Sequence, residues 1–227
     1  MRVVTKAQEQ LSYMTFGVAR AVTTVSNQLR LPVLSTGRSF RYYRQAFFES
    51  RSETEVFAEL KDQTILDIGC GLTPFVKGSF FQRCDEQNIQ CYGVDPKLAA
   101  FDYTWLDKLA VLAMRGQSID RNAPGKARHI GAYAHDLPLS DQSVDLVVSS
   151  WFLFVWIREQ ALYDILEELH RVLKPGGQVR IAPTPSLADD TWRQWIPSGF
   201  EIEQKFHITP RIFHRPPAYT TILTRND

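Results

Sequence analysis

The chain has little of what builds disulfide or metal sites. Its 227 residues include only three cysteines, Cys70, Cys84 and Cys91, an odd number whose spacing matches no common metal-binding motif. The five histidines show no ligand spacing either. We therefore expect no metal ion, and we interpret the cysteines as small core residues of a cytoplasmic protein, in a compartment where thiols stay reduced.

An excess of one charge and long apolar runs are also lacking. The chain has 26 Lys and Arg against 25 Asp and Glu, so no overall field would attract nucleic acid or anionic lipid. The first residues lack the apolar core of a secretory signal, and Arg20 and Arg30 interrupt the apolar stretch 11–34, which argues against a membrane span. A hydrophobic content of 44% instead indicates one globular domain, with or without an appendage.

The most informative stretch is 64–75, with the sequence TILDIGCGLTPF. It opens with an apolar run that predicts a buried parallel strand, with Asp67 near its end. Gly69 and Gly71 then allow a tight turn and a close approach of a ligand to the backbone. The hydroxyl and proline of Thr73-Pro74 are typical of a helix start. Together these features predict a nucleotide-type binding corner at the carboxyl edge of a doubly wound sheet.

From residue 64 onwards, strand-like runs alternate with helical patterns, which predicts a mostly parallel sheet covered on both faces. The predicted strands are 64–68, 89–94, 128–134, 145–150, 178–182, 200–206 and 218–224. One helix is predicted to start at residue 73, and two others are predicted over 98–114 and 158–173.

Residues 1–60 are predicted to form a helical extension ahead of the sheet domain, which spans 61–227. Helical spacing of apolar residues indicates one helix that ends at Leu31-Pro32 and a second over about 40–60. Three basic residues recur at intervals of three and so are expected on one helix face: Arg38, Arg41 and Arg44. A solvated face is the ordinary interpretation, and binding of an anionic substrate or RNA is the alternative.

Three further features follow the glycine turn. Asp95 ends the second predicted strand, 24 residues beyond Gly71, where an acid can accept hydrogen bonds from ribose hydroxyls; a helix N-cap is the alternative. The segment 135–150, HDLPLSDQSVDLVVSS, follows the third predicted strand. The run 168–177, ELHRVLKPGG, ends the last predicted helix with proline and glycines.

These segments together resemble the class I S-adenosylmethionine-dependent methyltransferases. The acid and the G-x-G turn of LDIGCG match that family's first motif, with Thr73 in place of the third glycine. Pro74 occupies the position of the third glycine in the G-x-G-x-x-G fingerprint of NAD enzymes, which argues against a pyrophosphate-binding turn. Segment 135–150 is similar to the one in which an acid, here Asp136, receives the adenine amino group, with Leu137 beside the ring. The resemblance covers about 64–224. It implies an α/β, Rossmann-like sheet of seven strands with a terminal reversed hairpin.

The resemblance implies S-adenosylmethionine as cofactor. The residues expected to bind it are Asp67, Gly69, Cys70, Gly71, Asp95, Pro96, His135, Asp136, Leu137 and Ser149. Methyl transfer from a sulfonium is an in-line displacement that needs mainly positioning and exclusion of water. We therefore name no catalytic residue. His135 is a candidate general base, with a structural or adenine-side role as the alternative.

The acceptor side is indicated by seven apolar residues, WFLFVWI at 151–157, directly after the fourth strand. They predict either burial beneath the N-terminal extension or a pocket for a small apolar or aromatic methyl acceptor. We expect residues 1–60 to lie over the site as a lid, with one of the three arginines on the cofactor's methionine carboxylate. The aromatic residues expected to point inward are Tyr13, Phe16, Tyr42, Tyr43 and Phe47.

Several alternatives stay open at this point. The extension is a docking arm for a partner or a dimer if it lies on another face. The protein is a methyltransferase acting on RNA or protein if the arginine face is functional, and a cofactor-binding regulator if it has no turnover. Neither a monomer nor a dimer is favoured by the sequence.

Overall fold

The computed structural model describes residues 6–29, 37–100, 103–115, 119–120, 122–123, 128–188, 190–207 and 218–227. Within them, seven strands form one sheet: β1 (Thr64–Ile68), β2 (Gln90–Val94), β3 (His129–Ile130), β4 (Val144–Ser150), β5 (Leu173–Thr184), β6 (Phe200–His207) and β7 (Ala218–Arg225). Their order is β3-β2-β1-β4-β5-β7-β6. The five strands β3, β2, β1, β4 and β5 run parallel to one another, and β7 is antiparallel to both β5 and β6. The mostly parallel seven-stranded sheet with a reversed terminal hairpin is thus confirmed.

Seven α-helices accompany the sheet in the described residues: α1 (Lys6–Gln28), α2 (Phe40–Phe47), α3 (Glu53–Leu60), α4 (Phe80–Glu86), α5 (Lys97–Ala100), α6 (Trp105–Arg115) and α7 (Glu159–Val172). The chain moves outward from β1 through β2 to β3 and then returns to β4 on the other side of β1. The strand order therefore reverses between β1 and β4. In open α/β sheets, ligands bind in the crevice outside the carboxyl ends of the strands at such a point.

The apolar residues divide into one core on each sheet face. One core joins α2, α3 and α4 to alternate residues of β1 and β4, for example Tyr43, Leu60 and Phe80 against Ile65. The other joins α7 and the segment after β4 to the opposite residues, and it includes Phe16 of α1. This alternation follows from the two-residue period of a strand. Both faces of the sheet are thereby covered.

The helix predicted over 40–60 is in fact two helices. Glu49 and Ser50 have positive φ angles of 52° and 59°, which end the first helix. The hydroxyl of Ser52 then accepts from the backbone N–H of Glu55, whose carboxylate accepts from the N–H of Ser52. This capping box starts α3 at Glu53. The break between α2 and α3 was not visible in the apolar pattern.

The helix start predicted at Thr73-Pro74 is only a 3-10 turn over Thr73–Phe75. The helix itself begins at Phe80, where the hydroxyl of Ser79 accepts from the N–H of Gln82. Thr73 is therefore not a helix cap. Its hydroxyl oxygen instead accepts from the backbone N–H of Arg38 at 3.2 Å, so it fastens the segment before α2 to the turn after β1.

Other predicted bounds also change. The stretch 98–114 contains two helices, because Thr104 and Asp107 cap α6 reciprocally. The third strand is shortened to His129–Ile130, and the fifth begins at Leu173 directly after α7 rather than at 178. The predicted end of the first helix at Leu31-Pro32 lies outside the described residues.

All three cysteines are free and buried, as expected of small core residues. None of the described helices combines the length and apolarity needed to cross a membrane. Within the same residues, no three His, Cys, Asp or Glu side chains gather into a group that could hold a metal ion.

Candidate functional site

The turn after β1 is shaped by its glycines. Gly69 and Gly71 have φ angles of 70° and 55°, a region that side chains other than glycine rarely adopt. A Cβ at Gly69 would lie 2.4 Å from the ring of Phe152. The N–H of Gly69 donates to the carbonyl of Val94 at 2.8 Å, which holds the turn beside the end of β2. Residues other than glycine would be strained in this backbone conformation, and at Gly69 a side chain would also clash with Phe152.

Asp67 lies at the base of this turn and is fully buried. Its Oδ2 accepts a hydrogen bond from the hydroxyl of Tyr43, while its Oδ1 has no hydrogen-bond partner among the described residues. Burial raises the pKa of Asp67 to about 8, and the Tyr43 hydroxyl and the Arg38 charge act in the opposite direction. A buried carboxyl oxygen without a partner is costly, so Oδ1 suits a ligand donor, and a cationic ligand group bound there would favour the ionised carboxylate.

Tyr43 brings α2 into the site. Its ring stacks on Phe80 with centroids 4.7 Å apart and planes at 2°, and its side chain is fully buried. Burial and the neighbouring Asp67 raise the pKa of Tyr43 well above its ordinary value, so the phenol remains a donor. The helical extension thus fixes the orientation of the motif carboxylate through a residue of α2.

Asp95 joins the end of β2 to the glycine turn. Its Oδ2 accepts from the N–H of Gly71 at 3.2 Å, and its Oδ1 accepts from the N–H of Lys97 at 2.9 Å at the start of α5. Burial raises the pKa of Asp95, and these two backbone donors oppose that shift. A carboxylate has about four acceptor sites, so it can also receive a ligand hydroxyl. The N-cap and the ligand interpretations are therefore compatible.

A cavity of about 320 Å³ opens above the turn. It is lined by α1, by the segment around α2, by the glycine turn and by the apolar segment after β4: Ala19, Val22, Thr23, Arg38, Tyr43, Gly69, Cys70, Gly71, Thr73, Ser150, Trp151, Phe152, Val155 and Trp156. Most of these groups are apolar or aromatic, with a few polar ones, as is usual for small-molecule sites. The expected apolar segment therefore forms one wall, and α1 forms another.

Polar contacts hold α1 against this wall. The hydroxyl of Thr23 donates to the carbonyl of Val155 at 3.0 Å. The guanidinium of Arg158 donates to the hydroxyls of Thr23 and Thr24 at 2.6 and 3.0 Å and to the carbonyl of Arg20 at 3.2 Å. Arg158 is a partner of α1 that the sequence pattern did not reveal, because 138 residues separate it from Arg20.

The three arginines expected on one helix face separate in the structure. Arg38 precedes α2 and lines the cavity, with its guanidinium 5.7 Å from the ring centre of Tyr42. Arg41 is exposed, and Arg44 pairs with Glu53 and with the carbonyl of Arg51. The prediction of one shared helix face was wrong, because Arg41 and Arg44 belong to α2 and Arg38 does not. Of the predicted aromatic residues, Phe16, Tyr43 and Phe47 are buried, whereas Tyr13 is 72% exposed.

The remaining predicted residues have diverse surroundings. Ser149 is buried beneath the turn, where its hydroxyl donates to the carbonyl of Ile68 at 3.2 Å. Leu137 is buried and its N–H donates to Glu168 at 2.7 Å. The exposed ones are Pro96, Asp136 and His135, the last stacked on Tyr133. No hydrogen bond in the described part of the chain joins 135–137 to the glycine turn, so their cofactor role stays a prediction.

A family model described as a methyltransferase domain matches residues 66–181, just over half of the chain. The chain belongs to this methyltransferase family. The match includes the glycine turn, Asp95, the segment 135–150 and most of β5. It confirms the resemblance and, with it, S-adenosylmethionine as the cofactor of the domain.

Individual relatives are more distant. The malonyl-[acyl-carrier protein] O-methyltransferase of Marinomonas sp. (strain MWYL1) is 32% identical over 103 residues, 45% of this chain and 34% of that protein. The matched stretch thus spans about a third of the relative's length. The TehB-like SAM-dependent methyltransferase of Corynebacterium glutamicum has 16% identity and a TM-score of 0.50 over 92% of this chain and 99% of its own, which shows a shared fold. A SAM-dependent methyltransferase of Archaeoglobus fulgidus has 18% identity and a TM-score of 0.47 over 82% of this chain and 99% of its own.

The site residues fit this cofactor. Asp67 and Asp95 do not line the cavity themselves and lie behind the turn residues that do. The unpartnered Oδ1 of the fully buried Asp67 suits an ammonium group, and the Asp95 carboxylate beside Gly71 suits a hydroxyl donor. Arg38 supplies a positive charge on the cavity wall that suits a carboxylate. The same molecule carries all three groups, since its amino acid end is zwitterionic and its ribose has free hydroxyls.

Proposed function

We propose that the protein transfers the methyl group of S-adenosylmethionine to a small apolar or aromatic acceptor. The observation that supports this most is the shape of the cavity, which joins the glycine turn directly to an aromatic wall. Trp151, Phe152 and Trp156 line the same space as Gly69 and Gly71. Any acceptor placed against that wall therefore lies beside the end of the cofactor that the turn binds.

The chain's residues would hold the two ends of the cofactor differently. Asp67 and Arg38 would bind the ammonium and carboxylate of its amino acid part, and Asp95 would accept from its ribose. Asp136 and Leu137 are proposed at the adenine. When bound, the cofactor supplies a methyl group already activated on a sulfonium. The protein's share of the reaction is then orientation and exclusion of water, and α1 and the segment after β4 enclose that space.

We assign no general base. His135 is exposed and does not line the cavity, and the hydroxyl of Tyr43 already donates a hydrogen bond to Asp67. The RNA alternative depended on an arginine face, and that face does not form, because Arg44 is paired and Arg38 turns to the cavity. These two placements favour a small acceptor that needs no strong deprotonation.

The test is incubation of the purified chain with methyl-labelled S-adenosylmethionine and a host extract separated into RNA, protein and organic-soluble fractions. We expect the label in the organic-soluble fraction. Label in RNA or protein would contradict the proposed acceptor class while leaving methyl transfer intact. Tight binding of S-adenosylhomocysteine by calorimetry, with no label transferred to any fraction, would support a regulator without turnover.

A further inference from the structure

Helix α1 carries an apolar face that the rest of the described chain does not cover. Five residues at intervals of three or four share this face and form what we name the α1 stripe: Met14, Val18, Val22, Val25 and Leu29, the last just beyond the helix end. Each is between 50% and 65% exposed. Large contiguous apolar patches on a protein surface mark interaction sites or ligand-binding grooves.

The stripe is continuous with the cavity. Val22 belongs to both, since it lies in the stripe and also lines the cavity wall. Its neighbours Ala19 and Thr23 line the same wall on the more buried side of the helix. An apolar path therefore runs from the aromatic wall at Trp156, past Val22, to the outer surface of α1.

The cavity is small for two ligands. Its volume of about 320 Å³ lies at the lower end of the range of about 300–1,000 Å³ for sites that bury a ligand of drug size. The reacting end of the cofactor must share this volume with the acceptor. Only a compact acceptor head fits beside it, and any larger part of the acceptor must leave through the mouth.

We propose that the acceptor is an amphiphile, with its reacting head in the cavity and its apolar tail along the α1 stripe. This inference rests on the proposed function and specifies its substrate class. A second exposed apolar face on α6 provides a comparison, formed by Trp105, Leu106, Leu109 and Leu112. None of these four lines the cavity. The two faces have similar chemistry, and only the α1 stripe leads into the site.

The test uses the full chain saturated with S-adenosylhomocysteine and three probes, the ethyl, octyl and dodecyl esters of 4-hydroxybenzoic acid, below their aggregation concentrations. Calorimetry should show affinity rising by up to about fourfold for each methylene that the stripe covers. The double variant Val18→Ser/Val25→Ser should bind the dodecyl ester at least about tenfold more weakly, because it removes apolar surface beneath the tail. The ethyl ester should not discriminate between the two proteins.

The matched control is Leu109→Ser/Leu112→Ser on α6, which should bind all three esters as the wild type does. Equal dodecyl binding by the stripe variant, or an equal loss in the α6 control, would overturn the inference. The inference would also be overturned if the wild type formed a dimer, or bound phosphatidylcholine vesicles, and only the stripe variant lost that property. A second copy of the chain or a lipid surface would then be the occupant of the stripe. Failure of the proposed function would give a different result: the protein would not bind S-adenosylhomocysteine, or it would transfer no label.

Discussion

The helices that precede the sheet pack in two different ways. In α2 and α3, large side chains are fully buried in the core of one sheet face, among them Tyr43, Val56 and Leu60. In α1, only Ser12, Phe16 and Thr23 are buried, and hydroxyl and guanidinium contacts hold the helix in place. The difference indicates that α2 and α3 support the site from within the core, whereas α1 covers it from outside. The predicted domain boundary at residue 60 stays a prediction.

Deletion of residues 1–35 tests this comparison most severely. We expect the truncated chain to stay folded, because the core around α2, α3 and the sheet is retained, and to lose turnover, because one cavity wall is removed. Circular dichroism and thermal unfolding should show a core transition, and label transfer should fall to background. Deletion of residues 1–60 is the control, which should prevent folding by exposing the partners of Tyr43 and Leu60. Wild-type turnover by the shorter deletion would refute the lid.

The buried pair that α2 forms with the motif carboxylate should make stability depend on pH. The pKa of Asp67 is about 8 in the folded protein, against an ordinary value of 3.8. The folded state therefore binds more protons between about pH 4 and pH 8, and the free energy of unfolding should fall as pH rises through that window. The contribution is at most about 1.4 kcal/mol per pH unit.

Asp67→Asn should remove this part of the slope in urea unfolding measured at several pH values. Tyr43→Phe should extend the slope above pH 8, because the tyrosine hydroxyl lowers the pKa of Asp67 and its loss raises that pKa further. An Asp67→Asn slope that matches the wild type would mean that Asp67 is already ionised at neutral pH.

The two ends of the parallel strands should respond differently to the loss of a carboxylate. Asp95→Ala at the carboxyl edge should weaken S-adenosylhomocysteine binding by about 1.5–3 kcal/mol, the range for hydrogen bonds to a charged group. The control is Asp145→Ala. The Asp145 carboxylate accepts from the N–H of Thr64 and pairs with Lys174 at 2.8 Å, near the starts of β1, β4 and β5. That change should lower stability and leave affinity unchanged in calorimetry. Unchanged affinity in the Asp95 variant would remove Asp95 from the site.

Local sequence predicted one side of the site in detail, whereas on the other side it predicted the segments but not their contacts. The turn around Gly69 and Gly71 is determined by residues adjacent in the chain, so its motif could be interpreted directly and the family match confirmed it. The opposite wall depends on contacts between distant residues. Tyr43 reaches Asp67 across 24 residues, and Arg158 reaches Arg20 across 138. Nothing in the apolar pattern of either segment specifies such a partner, because helical spacing predicts a face but not what the face meets.

The smallest expected effect concerns the adenine end, where the sequence motif is clear and the structure shows few contacts. Asp136 is exposed, and its backbone N–H donates to the carbonyl of Tyr133 at 3.1 Å. Its carboxylate makes no hydrogen bond or ion pair with the described residues, and solvent exposure weakens any hydrogen bond that it makes to a ligand. If Asp136 receives the adenine amino group, Asp136→Asn should keep one acceptor through its amide carbonyl, and Asp136→Ala should lose it. We expect the alanine variant to bind S-adenosylhomocysteine about 0.5–1.5 kcal/mol more weakly than the asparagine variant in calorimetry. Equal affinities for both variants and the wild type would contradict the assignment of Asp136 to the adenine amino group. The glycine turn and Asp95 would then remain as the parts of the motif that bind the cofactor.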